Sequence, residues 1–259
     1  MFNKKKIASL LLAGVMTASL AVPAFAADDP PENTIIVSGQ YKDVDIDVTL
    51  STQAGKVFVN PYALPITVDN GKTDAAKKEV EIKNKQIVTT PMWVSNESTV
   101  DLDVNAQVTL TEMATGLKFT TETIAADDTN KSINAKLQMV SATAITGTSI
   151  IEQDAMDAFA KETNWASAVS LALPTAVNRS TSSTDEELKL DKMVTLKQAK
   201  VFTSGVNEGQ FDQYQAGSVA FVRLDGTCTK APKTAWAETD TFKVSIAFTF
   251  SPAVSSGNG

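Results

Sequence analysis

The strongest constraint on the fold is an unbroken alternation of apolar and polar residues near the middle of the chain. The apolar positions are Val100, Leu102, Val104, Ala106, Val108 and Leu110. Every residue between them is polar. Successive side chains of a β-strand point to opposite faces, so a period of two over this length predicts a strand with one buried and one solvated face. Such strands are typical of antiparallel sheets.

A short apolar run precedes this strand and suggests a pairing partner for it. Met92-Trp93-Val94 is followed by Asn96-Glu97-Ser98, whose side chains favour turns. We therefore predict a β-hairpin within residues 87–110, at the centre of the sheet.

Further apolar or alternating segments recur about every 8–12 residues, the spacing typical of a β-sandwich. The sequence Asp69-Asn70-Gly71 predicts a hairpin turn between two of them. Another segment is expected to end at Asp225-Gly226. The predicted strands cover residues 35–37, 43–48, 56–59, 64–68, 79–83, 116–119, 133–139, 193–196, 201–202, 218–224 and 242–250.

The pattern changes between about residues 142 and 215, which we interpret as a loop-and-helix insertion. Ser149 and Glu152 have the spacing of a capping box, which predicts a helix from about Ile150 to Glu162. The polar stretch 178–187 predicts a loop. The fold class expected for the whole chain is all-β: an antiparallel β-sandwich of jelly-roll or Greek-key type with a short helical insertion.

The N-terminus has the pattern of a secretory signal peptide. A basic segment (Lys4-Lys5-Lys6) precedes an apolar stretch and the small-residue motif Ala24-Phe25-Ala26. We predict a signal peptide over residues 1–26, a single domain over 27–251 and a polar tail over 252–259. The mature protein is expected to be secreted or attached to the cell surface, with no transmembrane segment.

The charge balance restricts the partners. The chain has 23 basic and 30 acidic residues, a net charge of −7, and removal of the three signal-peptide lysines leaves 20 against 30, or −10. A surface of this sign repels nucleic acid and anionic membranes. We therefore expect no nucleic-acid partner.

The absence of histidine excludes most secreted hydrolases. Without histidine there is no Ser-His-Asp triad, no Cys-His dyad and no histidine zinc site. Cys228 is the single cysteine, which rules out an intrachain disulfide. A small buried residue is the expected role for Cys228, and an intermolecular bridge is the alternative. We expect neither enzymatic activity nor a cofactor.

Two acidic strand faces are candidates for a glycosidase carboxylate pair or a calcium site. Asp43, Asp45 and Asp47 share one face of a strand, as do Asp101 and Asp103. Neighbours on one face lie about 6–7 Å apart, which suits a glycosidase carboxylate pair. The first group, or Asp127 with Asp128, also provides oxygen ligands for calcium. A solvated acidic face gives the same pattern, so Asp43, Asp45 and Asp47 are only candidate calcium ligands.

The segment after the signal peptide is a candidate assembly strand. Pro30 and Pro31 cannot donate ladder hydrogen bonds and predict an extended leader. The residues that follow, Thr34-Ile35-Ile36-Val37, are β-branched and uncharged. Such a strand can pair within its own sheet or with the open edge of a neighbouring subunit.

The order of these features resembles a known family. The signal peptide, the short apolar strand, "VSNESTVDLDVNAQVTL", the insertion and the terminal "TFKVSIAFTFSP" are similar to camelysin/TasA-type secreted matrix-fibre proteins of Gram-positive bacteria. The resemblance implies a jelly-roll subunit that polymerises when its N-terminal strand completes a neighbour's sheet. Camelysin-type members are described as metalloproteases, a role that a chain without histidine does not inherit. "NPYALPITV" and "TAWAETDTFKVSIAFTF" are also similar to other secreted clostridial surface sandwiches.

The expected function is that of a secreted structural or cell-surface protein, a self-associating subunit of an extracellular, biofilm-matrix-like assembly formed by strand-mediated contacts. The alternative is a monomeric surface module that binds a glycan or a host protein. An assembly subunit should form concentration-dependent oligomers, whereas a binding module should stay monomeric.

Overall fold

The structure is a computed structural model. It describes residues 12–20, 48–50, 56–70, 75, 77–142, 156–157, 159–161, 165–188, 190, 192–199, 214–230, 235–237 and 239–253. The strands are β1 (Leu12–Leu20), β2 (Val48–Leu50), β3 (Val57–Val59), β4 (Ile66–Asp69), β5 (Glu79–Ile82), β6 (Ile87–Thr89), β7 (Met92–Asn96), β8 (Leu102–Met113), β9 (Leu117–Phe119), β10 (Lys131–Ser141), β11 (Val169–Ala172), β12 (Arg179–Ser182), β13 (Val194–Leu196), β14 (Val219–Cys228) and β15 (Phe242–Pro252).

Two large sheets contain most of the described strands, and the all-β class is confirmed. The first sheet has the order β1-β15-β8-β12, with β13 also pairing with β8. The second has the order β11-β10-β14-β7-β2, with β9 beside β10. Every pairing in these sheets is antiparallel except that of β9 with β10. Two small antiparallel pairs, β3 with β6 and β4 with β5, complete the described strands.

The main core lies between the two large sheets. The alternating apolar positions of β8 and β15 are at most 2% exposed, and they share one buried cluster with apolar residues of β10 and β14. Phe242 of the first sheet meets Phe119 of the second edge to face, with ring centroids 4.8 Å apart. Each fully buried apolar side chain contributes roughly 1.5–3 kcal/mol to the free energy of unfolding. Face-to-face packing over a shared core gives the sandwich arrangement.

The predicted hairpin between β7 and β8 is wrong. β7 pairs with β14 and β2, whereas β8 pairs with β15, β12 and β13, so the two strands lie in different sheets. The connection is held by Asn96, which is fully buried. Its Nδ2 donates to the carbonyls of Val100 and Lys197 at 2.9 and 3.0 Å, and its Oδ1 accepts from the Ser98 N–H at 2.9 Å. These bonds turn the chain from one sheet into the other.

The insertion contributes the predicted strand β13 and two strands, β11 and β12, that the sequence did not predict. β11 pairs with β10, and β12 pairs with β8 over residues expected to form a loop. Hydroxyl groups explain why a polar strand is stable there. Ser183 is fully buried and its Oγ accepts from the Ala106 N–H at 3.0 Å, while Ser180 and Thr109 share a hydrogen bond of 2.7 Å.

The remaining local predictions have mixed outcomes. Asn70 opens a connection between paired strands β4 and β5, as expected, and its Oδ1 accepts from the Lys78 N–H at 3.1 Å. β14 continues through Gly226 to Cys228 instead of ending there. Residues 156, 157, 159 and 160 are helical, and most of the predicted helix 150–162 lies outside the described residues, as does the predicted strand at 201–202.

A second buried cluster contains residues of the insertion, β10 and β14. Phe159 meets Trp165 and Phe221 edge to face, at centroid distances of 5.3 and 6.3 Å. The Trp165 Nε1–H donates to the Phe159 carbonyl at 2.6 Å. Trp165 is buried in this cluster, whereas Trp93 and Trp236 are half-buried. In the described parts of the chain, no helix has both the length and the apolar character needed to span a membrane.

Candidate functional site

The outer edge of β15 is the first candidate site, because of the strand that lies along it. β15 pairs with β8 on one side and with β1 on the other. The β1 pairing runs antiparallel over nine consecutive residue pairs, from Leu12 opposite Phe250 to Leu20 opposite Phe242. β1 lies within the predicted signal peptide, so the sheet of the full chain includes a segment that processing is predicted to remove.

The chemistry of the β15 edge suits an uncharged extended partner. Lys243 is the single charged residue of β15, and its Nζ lies 2.8 Å from Glu112 Oε1 on β8. The remaining side chains alternate between the core and the outer face. The edge therefore offers backbone N–H and C=O groups with little electrostatic selection against an apolar strand.

Two sets of sequence-predicted site residues lie outside the described residues. They are the assembly strand Thr34, Ile35, Ile36 and Val37, and the calcium candidates Asp43, Asp45 and Asp47. Both remain predictions.

The second acidic pair, Asp101 and Asp103, ties the insertion to β8. Asp101 accepts from Lys197 Nζ at 2.7 Å and from the Gln198 N–H at 2.8 Å. Burial alone would raise the pKa of Asp101, but these hydrogen bonds outweigh it and lower the pKa. Asp103 accepts from Lys192 Nζ and Thr195 Oγ1, both at 2.7 Å. Carboxylates held in this way favour a structural role over a catalytic one.

Asp128 is likewise engaged by its own loop. Its Oδ1 accepts from the Asn130 N–H at 2.9 Å and from Asn130 Nδ2 at 2.8 Å. A side-chain hydrogen bond from Ser132, together with these bonds, lowers the pKa of Asp128. Among the residues that the structure describes, no group of three or more acidic or cysteine side chains is placed to hold a metal ion.

A polar cleft of about 250 Å³ is the second candidate site. Its walls come from the connection between β5 and β6, from residues 159–160 and from β14. Lys85 Nζ and Arg223 Nη2 lie 3.6 and 3.5 Å from the Asp225 carboxylate. The Arg223 guanidinium also stacks at 4.0 Å from the centre of the Trp165 ring and donates through Nε to Gln138 at 2.9 Å.

Sequence reasoning missed this cleft because its walls are distant along the chain. The only local signal in the sequence is the polar tripeptide Lys83-Asn84-Lys85. In the structure Asn84 has a positive φ of 56°. Such a tripeptide predicts a tight turn but says nothing about the strand or insertion that faces it.

Cys228 is a buried residue, the expected role. The side chain is 3% exposed, and burial raises the pKa of its thiol to about 12.

We expect the Cys228 thiol to resist alkylation in the folded protein. At pH 8 its thiolate population should be at least about a thousandfold below that of an unfolded chain with a thiol pKa near 8.5. Iodoacetamide labelling followed by mass spectrometry should therefore give almost no adduct in buffer and one adduct per chain in denaturant. Equal labelling rates in the two conditions would contradict the buried assignment.

Comparisons of the chain with protein-family models, with curated proteins and with solved structures gave no match.

Proposed function

We propose that the protein is a secreted structural subunit that self-associates by strand addition at the edge of β15. In this proposal Thr34–Val37 of one subunit pairs with β15 of the next. The supporting observation is the pairing of β15 with β1, a segment that the predicted processing removes. After removal, none of the remaining described strands pairs with the backbone groups of β15 that face away from β8.

The length of this edge distinguishes it from the other described edges. The β1 pairing covers nine residues of β15. The edge strands β12, β11 and β2 have only four, four and three residues. Short edge strands are one means by which proteins avoid unwanted pairing, whereas a long one is a template for another strand. Strand addition at such an edge gains main-chain hydrogen bonds along the whole contact.

The N-terminal segment has the properties of the added strand. Residues 34–37 are uncharged and β-branched, and they follow a leader whose two prolines keep it extended. The predicted mature charge of −10 opposes non-specific aggregation, so that close contact between subunits depends on a specific pairing. Strand addition in a fixed direction generates a filament unless the rotation between subunits closes a ring.

Deletion of residues 27–38 from the mature protein tests the proposal. We expect the deleted protein to keep the melting temperature of the mature monomer and to lose all higher oligomers in sedimentation velocity and negative-stain microscopy. Deletion of residues 27–33 alone is the matched control, because it removes the leader and keeps the strand. That control should still assemble.

Two outcomes would contradict assembly in trans. A folded deletion variant that still assembles like the mature protein would show that the strand is dispensable. A deletion variant that unfolds would instead place residues 34–38 in the subunit's own sheet, where each buried β-branched side chain contributes roughly 1.5–3 kcal/mol.

The cleft beside Arg223 supports a second candidate function, a monomeric module that binds a glycan. Its volume of about 250 Å³ is of the order of one sugar ring, and it combines carboxylate acceptors with ammonium and guanidinium donors. Sugar hydroxyls need donors and acceptors together. This candidate predicts that the protein stays monomeric at all concentrations and binds oligosaccharides. Binding should be lost in Asp225→Ala and kept in the exposed control Thr227→Ala.

A further inference from the structure

We propose that residues 12–20 mask the β15 edge in the uncleaved chain, so that removal of the signal peptide switches assembly on. The expected effect on assembly rests on the proposed function, whereas the contact between residues 12–20 and β15 does not depend on it. It assigns to a segment predicted only to direct export a second role, that of an intramolecular inhibitor.

The contact between β1 and β15 is complete along its length. β1 lies along β15 for nine residue pairs in register, whereas the β8 pairing on the other side has an irregularity between Lys243 and Val244. Each backbone N–H or C=O on one side of a strand pairs with one neighbour only. While β1 is in place, a strand from another subunit has no free ladder on this side of β15.

The segment that covers β15 and the proposed assembly strand are chemically similar. Residues 12–20 (LAGVMTASL) and residues 34–37 (TIIV) are both uncharged. β15 itself carries only one charge, at Lys243. Neither segment is therefore selected against by charge, and the two are competitors for one edge.

Residues 12–20 also compete from within the same chain. A segment joined to its own sheet acts at an effective concentration of the order of millimolar. Against a partner subunit at ~10 μM, the tethered segment has roughly a hundredfold advantage at equal intrinsic affinity. Cleavage after Ala26 abolishes that advantage because the segment can then diffuse away.

Hydrogen exchange tests the masking contact without requiring assembly. The uncleaved chain can be kept intact by Ala24→Asp and Ala26→Asp, which remove the small residues that processing needs. The comparison uses this chain and the mature protein at concentrations low enough to keep both monomeric. We expect the β15 amides that point towards β1 to exchange at least roughly tenfold faster in the mature protein. Equal exchange at these amides would overturn the proposal.

Proline variants of the uncleaved chain test the consequence for assembly. One of any two neighbouring N–H groups in β1 points to β15, so either Val15→Pro or Met16→Pro should break the ladder. We expect the uncleaved chain to stay monomeric where the mature protein assembles, and one of these variants to assemble. Ala8→Pro, which lies before β1, is the matched control and should stay monomeric.

The outcomes separate the two proposals. An uncleaved chain that assembles like the mature protein would overturn the masking inference and leave the proposed function intact. A mature protein that never assembles would overturn the proposed function, and the exchange measurement alone would then decide whether residues 12–20 cover β15.

Discussion

Replacement of Asn96 by alanine is expected to lower the free energy of unfolding by about 3–5 kcal/mol. The side chain is fully buried where the chain leaves one sheet for the other. Its loss removes the donor to the carbonyls of Val100, Leu196 and Lys197 and the acceptor of the Ser98 N–H. Buried backbone groups without a partner cost about 1–3 kcal/mol each, and relaxation or water recovers part of that sum.

Denaturant titration of the mature protein measures this effect. Gln107→Ala is the matched control because it removes an amide of similar chemistry from an exposed position of β8. We expect the Gln107 variant to change stability by less than about 0.5 kcal/mol. If the two variants unfold at the same denaturant concentration, Asn96 does not hold the crossing between the sheets.

The same crossing shows how far the sequence predicts the fold. Alternation identified β8 and its buried face correctly, because a period of two depends only on which side of a strand meets the core. Alternation does not identify the neighbouring strand. Asn96-Glu97-Ser98 has the composition of a hairpin turn, and only the distant carbonyls of Leu196 and Lys197 reveal that Asn96 instead anchors a crossing between sheets.

The insertion shows a second limit of prediction from the sequence. β12 has no apolar alternation; it pairs with β8 along the backbone, and Ser180 together with Ser183, just after the strand, adds side-chain hydrogen bonds to β8. A polar stretch in a sequence predicts a loop because its side chains gain nothing from burial among apolar residues. Here the side chains are satisfied by a strand about 70 residues earlier in the sequence, a contact that no local pattern contains.

The candidate site was predictable only in part. The sequence indicated an uncharged N-terminal strand available for pairing, from its β-branched residues and the prolines before it. It did not indicate which edge would be long and uniform. β8 is also long, but β12 and β13 cover its other side, which leaves β15 as the long edge strand next to β1. The cleft was not predictable because three segments that are distant along the chain form it.

Replacement of Gly226 by alanine is expected to destabilise the sandwich by about 3 kcal/mol, the upper end of the usual cost of overpacking. Gly226 lies opposite Ala135 in the ladder between β14 and β10. A Cβ at this position would overlap the Asn134 carbonyl oxygen and come within 2.8 Å of the Ala135 Cα. Both atoms belong to the backbone of the neighbouring strand, so no change of rotamer relieves the contact.

Thermal and denaturant unfolding should therefore report a large loss for Gly226→Ala, and the control is one residue away. Thr227 is exposed on the same strand, and Thr227→Ala should change stability by less than about 0.5 kcal/mol. Because β10 and β14 both contribute to the main core, separating them at Gly226 should weaken the whole sandwich and not only the strand end. A Gly226→Ala protein as stable as the Thr227→Ala protein would mean that β14 and β10 do not approach as closely there as the structure places them.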